Sequence, residues 1–262
     1  GLGNQLWLFA VAKSISEKLK IDLKIKDFEE FKGKNFLNLD YENNTNTIVR
    51  SSKELDIDAF KVFNERVYYD HELRYVVSSF DERVLSITKN TILEGIFQSE
   101  KYFFGNLDKL KRYIQLESSI KKNTKIDPYI CILNIRGGEY KRHKNFILQK
   151  QYWENAMANF KNRWNINDFL IVTDDYNYSR SLFPKLEVIY GDISRCYGAI
   201  YNCKNIIVSN SSFSYFPCKT GLKKNVIAPM YWARPSKNKG RWISPGNIYK
   251  DWYWQDKKNN LM

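Results

Sequence analysis

Histidine is almost absent from the chain, and cysteine, methionine and proline are sparse. The two histidines are His71 and His143, and the four cysteines, Cys131, Cys196, Cys203 and Cys218, show no paired short spacing. A zinc site would be short of ligands, so no metal is expected. Cys131 lies inside an apolar run and reads as a small core residue, and an intracellular compartment would keep all four thiols reduced. No apolar run reaches transmembrane length and no signal peptide is visible, so the chain reads as soluble and cytoplasmic. It opens at Gly1 within what reads as a motif, so a start codon and a preceding strand are expected upstream.

Acidic residues are outnumbered. The 42 Lys and Arg against 29 Asp and Glu give a formal net charge of +13, which implies an anionic partner: nucleic acid, a diphosphate substrate or an anionic membrane leaflet. Small basic clusters lie at Lys141-Arg142-His143-Lys144, Lys223-Lys224, Lys237 to Arg241 and Lys257-Lys258, and no single arm or recognition helix collects them. The aromatics Trp7, Phe9, Phe97, Tyr102 and Phe103 sit in apolar patterns that a core explains, so base stacking is not required and no nucleic-acid partner is expected. A diffuse positive surface fits transient contact with anionic lipid better, as suits an enzyme with a lipid-linked acceptor.

What the chain does have is enough apolar residue for a full core: 43% of 262 residues, long enough for one large or two small domains. Gly1 to Asn4 reads as a loop, followed by helical spacing of Leu6, Phe9, Ala10, Ile15 and Leu19 and a strand-like Ile21 to Ile25. The spacing predicts a short helix from Glu54 to Phe63, a strand at Thr91 to Glu94, a helix from about Glu100 to Leu116 and a lysine-rich linker from Ile120 to Lys125. Strands are then predicted at Tyr129 to Leu133, Phe169 to Val172, Glu187 to Ile189, Ile206 to Val208 and Val226 to Ala228, with helices between them. This βαβ succession predicts a parallel sheet.

In such a sheet ligands gather outside the carboxyl ends of the strands, and three strand ends carry suitable residues. The first delivers Asn134-Ile135-Arg136-Gly137-Gly138-Glu139-Tyr140, where arginine offers a planar fork of donors to phosphate and glycines permit close backbone approach, or simply a tight turn with a solvated arginine. The second carries Thr173-Asp174-Asp175, suited either to a guanine edge or ribose hydroxyls, or to capping the next helix. The third reads Ser209-Asn210-Ser211-Ser212-Phe213-Ser214, an anion site at a helix start or a cap without ligand.

Taken in order, Gly1 to Gln5, Leu93 to Phe103, the Arg136 loop, Thr173 to Asp175 and Ser209 to Phe216 resemble the motif series of the α-1,2-fucosyltransferases of glycosyltransferase family eleven. The resemblance implies an α/β, GT-B-like enzyme of two Rossmann-like domains with parallel sheets. These would be an acceptor-side domain at 1–122 and a nucleotide-sugar-binding domain with an aromatic tail at 123–262. It implies inverting transfer of L-fucose from GDP-β-L-fucose to a glycan hydroxyl, through an α-1,2 linkage to a galactose-type acceptor in surface polysaccharide synthesis, without metal or other cofactor. By position, Arg136 matches the arginine that neutralises the donor diphosphate. Ser211, Ser212 and the Phe213 amide match the phosphate-binding helix start, and Asp174 matches the carboxylate near guanine. Gly3 and Asn4 match an amino-terminal loop closing over the donor, and Gln98 and Glu94 match the central motif, either facing the acceptor or supporting the inter-domain cleft.

The departures lie in the Arg136 loop, where the family pattern is His-x-Arg-Arg-Gly-Asp-Tyr. Arg136, Gly138 and Tyr140 fit, whereas Asn134, Gly137 and Glu139 replace the histidine, the second arginine and the aspartate. A changed donor, another GDP-sugar, or a non-catalytic nucleotide-sugar or glycan-binding protein are the alternatives this leaves. For the general base that inverting transfer needs, Glu139 is the first candidate and Glu94 the second, against the reading of both as exposed acids in salt bridges. At the carboxyl end, Tyr231 to Pro235 and Asp251 to Trp254 either line an acceptor groove or pack a tail across the two domains, packing being the simpler reading.

Overall fold

The computed structural model describes residues 1–41, 60–70, 75–78, 80–88, 90–142, 146–230, 249–256 and 258–262. His71, His143, Lys144, Lys257, residues 54–59 of the expected short helix, the Tyr231 to Pro235 segment and the Lys237 to Arg241 cluster lie outside them. Two compact units divide the chain, the first over Gly1–Gln115 and the second beginning at Leu116.

In the first unit, helix α1 (Leu2–Leu19) buries Leu2, Leu6, Trp7, Phe9, Ala10, Val11 and Ile15, and Trp7 stacks on Phe103 with ring centroids 5.6 Å apart. It stops where Lys20 turns left-handed. The helix starts at Leu2 and not after Asn4: Leu2 and Leu6 are both buried at helical spacing, so Gly3 and Asn4 form the first turn and not a loop. Ile21 to Ile25 pairs with no strand among the described residues, although its exposure alternates as a strand's would. Strand β1 (Leu37–Leu39) precedes β2 (Lys61–Asn64), which occupies positions where a helix was expected. After β2 come β3 (Val67–Asp70), β4 (Tyr75–Ser78) and β5 (Thr91–Glu94). β2 pairs with β5 in parallel and β3 with β4 antiparallel. The expected helix from Glu100 to Leu116 is broken, because Phe104 and Gly105 adopt positive φ. Only α2 (Leu110–Tyr113) is α-helical there, and strand β6 (Ile114–Leu116) pairs with β1. The lysine-rich segment read as a linker is helix α3 (Ser118–Asn123).

The second unit carries a six-stranded parallel sheet, so the chain is α/β as the alternation predicted. Its strands are β7 (Ile130–Ile135), β8 (Asp168–Thr173), β9 (Glu187–Tyr190), β10 (Asn205–Val208), β11 (Asn225–Pro229) and β12 (Tyr253–Gln255). All five expected strands are present, and β12 is added by the aromatic tail. The intervening helices are α4 (Lys150–Trp164), α5 (Tyr176–Leu182), α6 (Ile193–Asn202) and α7 (Tyr215–Thr220). Strands covered on both faces read as continuous apolar runs, and β10 and β11 are buried throughout. Helix α4 presents Tyr152, Trp153, Ala156 and Phe160 to a core shared with Leu133, Ile171, Ile207 and Ile227. Trp252 and Trp254 are buried against Tyr249, so these two aromatics of the described tail pack within this unit.

Strand order decides where a ligand can sit. The order β12-β11-β10-β7-β8-β9 means that the chain builds outward from β7 to β9, then returns to lay β10 on the other side of β7. The connections leaving β7 and β10 therefore diverge, and their carboxyl ends form the topological switch point of the sheet.

Candidate active site

Both strand ends at the switch point carry residues singled out in the sequence. Val208 of β10 is in register with Asn134 of β7, and the Ser209 amide bonds the Asn134 carbonyl at 3.2 Å, so Arg136 and Ser209 leave adjacent strands at nearly the same level. Asn134 is buried and spends its side-chain amide on the Val172 carbonyl of β8 at 3.2 Å. That bond ties the middle strands together and leaves the neighbouring Arg136 to meet the loop.

Arg136 is held on three sides. Its Nη1 lies 2.6 Å from Asp174 Oδ2, its Nη2 donates to Glu139 Oε1 at 2.9 Å, and its Cζ stands 5.3 Å from the centre of the Tyr140 ring. Its Nε is buried and has no hydrogen-bond partner. A buried donor of a charged group left unpaired is costly, which makes this atom the mark of an absent acceptor. Across the switch point Ser209 Oγ is likewise buried and unpartnered. Tyr140 links the two strand ends by donating to the Asn210 carbonyl at 3.2 Å.

The two glycines are there for Asp174 and Asp175. Asp174 Oδ1 accepts the Gly137 amide at 2.8 Å, and a Cβ at Gly138, whose φ is +30°, would collide with Asp174 Oδ2. A Cβ at Gly137 would lie 2.6 Å from Asp175 Cβ and 2.9 Å from Tyr178 Cδ1. Asp175 caps α5 by accepting the Tyr178 amide at 3.0 Å and pairs with Lys141. Burial works against the Asp175 carboxylate, but Lys141 and the backbone amides outweigh it and hold its pKa below the usual value. The two aspartates read as either ligand or cap thus divide: Asp175 caps, and Asp174 faces the arginine.

At the end of β10, Ser211 Oγ accepts the Phe213 amide at 3.4 Å and Ser214 Oγ donates to the Ser211 carbonyl at 3.2 Å, so Ser211 caps the 3-10 turn Ser212–Ser214 that leads into α7, whose own start at Ser214 carries no side-chain cap. Ser212 is half-buried beside it. Arg136, Gly138, Glu139, Asn134, Asp174, Ser211, Ser212 and Phe213 therefore all lie at the carboxyl ends of β7, β8 and β10.

Gly3 and Asn4 belong to the first unit. There Gln98 Nε2 donates to Asn4 Oδ1 at 3.0 Å, joining the amino-terminal motif to the central one. The central motif is organised by a residue that the sequence did not single out. Glu65 is buried and accepts the amides of Ile96 at 2.8 Å and Phe97 at 2.7 Å and the Tyr102 hydroxyl at 3.0 Å. Burial raises the Glu65 pKa above the usual carboxylate value against the pull of those amides. Glu94 is exposed at the end of β5, and its carbonyl takes the Glu65 amide at 2.8 Å. Glu65 lies some thirty positions from its partners, and no local pattern could have announced it. Lys141 had a signal: it stands one turn after Gly137, whose carbonyl its amide bonds at 3.2 Å.

Among the described residues no group of three His, Cys, Asp or Glu side chains could hold a metal ion, and no helix is long and apolar enough to cross a membrane. A family model described as Glycosyl transferase family 11 matches residues 52–239. No curated protein matches the chain. Solved structures similar to it include POFUT1 in complex with GDP-fucose, at 11% identity and TM-score 0.48, covering 86% of this chain and 92% of that one. A POFUT1 complex with GDP matches at 11% identity and TM-score 0.42 over 86% and 93% of the two chains. In another GDP complex of the same protein the match, at 9% identity and TM-score 0.38, spans 53% of this chain and 55% of that one.

Proposed function

The chain belongs to glycosyl transferase family 11, and on that premise we propose that it transfers L-fucose from GDP-β-L-fucose to a hydroxyl of a glycan acceptor. The observation that carries the donor part is the pair of buried, unpartnered donors at the switch point, Arg136 Nε and Ser209 Oγ. They stand where a parallel sheet collects its ligand and offer the hydrogen bonds that a diphosphate accepts. The second unit would hold the donor nucleotide and the first would face the acceptor.

In this reading the acceptor hydroxyl attacks the anomeric carbon from the face opposite the phosphate. The carbon–oxygen bond to the diphosphate breaks with inversion, and its electron pair leaves on GDP. Arg136 offsets the charge that grows on the leaving phosphate, the role a fixed cation fills when no metal ion does so. The proton released by the acceptor goes to a carboxylate. Glu139 is the first candidate because a phosphate taking over Arg136 Nη2 would free it; Glu94 is the second. An α-1,2 linkage to a galactose-type unit of a lipid-linked surface glycan, with the basic surface resting on an anionic leaflet, completes the proposal.

One observation favours a second reading, a different sugar on GDP. The space beside Gly137 is filled by Asp175 and Tyr178, so this loop has no room for a second arginine and must meet its donor with one fixed positive fork. Calorimetric titration with GDP, UDP, CMP, GDP-fucose and GDP-mannose separates these readings. Binding confined to guanine nucleotides and weakened about tenfold or more in Arg136→Ala supports the transferase. Preference for GDP-mannose over GDP-fucose favours the second reading, and absence of nucleotide binding refutes both. GDP release from a bound GDP-sugar, with or without acceptor, distinguishes an enzyme from a binding protein.

A further inference from the structure

We infer that Asp174 is the positioning residue of Arg136 and does not read the nucleotide base; the inference rests on the reading of the Arg136 loop as the diphosphate site. Both Asp174 oxygens are committed to that loop, Oδ2 to Arg136 Nη1 at 2.6 Å and Oδ1 to the Gly137 amide at 2.8 Å. The loop is shaped around the carboxylate, since Gly138 has no side chain where Asp174 Oδ2 stands and adopts a positive φ to pass it.

The geometry of the guanidinium gives this clamp its purpose. An arginine presents its bidentate fork along the Nε and Nη2 edge, where the two N–H bonds run parallel. Asp174 takes Nη1 and makes no bond along that edge. Nε has no partner, and Nη2 is held by Glu139, whose side chain is 69% exposed and so exchanges at little cost. Asp174 therefore fixes the arginine from behind, while Glu139 occupies the place of one phosphate oxygen until the donor arrives.

The test compares GDP with IDP, which lacks the exocyclic amino group of guanine and so reports base reading by a carboxylate. In Asp174→Asn the side-chain carbonyl can keep the Gly137 amide, but the new NH2 faces Nη1 donor to donor and pushes the arginine away. GDP and IDP should both bind about tenfold more weakly with their ratio unchanged, and Asp174→Asn should cost nothing further in an Arg136→Ala background. Glu139→Gln, on an exposed side chain that leaves the fold intact, should tighten GDP roughly twofold to fivefold by removing the competing charge. A collapse of the GDP to IDP ratio in Asp174→Asn, losses that add to those of Arg136→Ala, or weaker GDP binding in Glu139→Gln would each overturn the assignment. A wild-type protein that binds neither nucleotide removes the diphosphate reading and the assignment with it.

Discussion

At the scale of single residues, the Arg136 loop takes its shape from side chains that reach it from beyond β8. An arginine after a buried strand, followed by two glycines, points to an anion site by its chemistry alone. What those glycines do was not legible, because the atoms they make way for belong to Asp174, Asp175 and Tyr178, which reach the loop from the next strand and helix. This makes a sharp prediction for the position at which the family carries a second arginine. Gly137→Arg should not improve the site. With Asp175 Cβ 2.6 Å and Tyr178 Cδ1 2.9 Å from the first added atom, both inside van der Waals contact distance, it should destabilise the protein by about 1–3 kcal/mol and weaken GDP binding. Thermal melting and a GDP titration on the same preparation check both parts, and an unchanged melting temperature with tighter GDP would contradict them.

At the scale of elements, the strands of the second unit were readable because buried parallel strands are uninterrupted apolar runs. The elements of the first unit were less so. Its central motif is a turn whose amides converge on Glu65, and Gly95 packs so closely against Glu65 that a Cβ would lie 2.5 Å from Glu65 Cβ. Such a turn is specified by a distant carboxylate and not by its own sequence. Glu65→Gln replaces one acceptor oxygen with a donor facing an amide or the Tyr102 hydroxyl, so it should cost about 1–3 kcal/mol in urea unfolding. A loss below about 0.5 kcal/mol would mean that the turn holds without its carboxylate. The start of α1 repeats the lesson: Gly3 and Asn4 look like loop residues, and the burial of Leu2 decides otherwise.

At the scale of the whole molecule, charge sets the response to pH and salt. Glu17 accepts from Lys109 at 2.8 Å, Arg112 at 2.5 Å and the Tyr113 hydroxyl at 2.8 Å. Burial alone would raise its pKa, but these three partners outweigh it and bring it to about 2. A carboxylate whose folded pKa is depressed contributes stability that is present above its unfolded value, near 4.5, and is lost as pH falls towards 2. Urea unfolding between pH 6 and pH 3 should show a decline that is shallower in Glu17→Gln by about 1–3 kcal/mol over that span; identical slopes would rule out the contribution. The net charge of +13 carries a separate expectation. The protein should sediment with vesicles containing phosphatidylserine at low salt and be released as salt rises through a few hundred millimolar, whereas neutral vesicles should leave it in solution.

The sequence by itself determined the α/β alternation, five of the six strands of the sheet and the residue types gathered at the strand ends, because burial on both faces and helical spacing are written locally in residue order. Only the tertiary structure decided the strand order that puts β7 beside β10, the division of labour between Asp174 and Asp175, and the pairing of Glu65 with the central turn. Those depend on which distant backbone amide or charge fills the space beside a residue, and that is settled when the strands assemble.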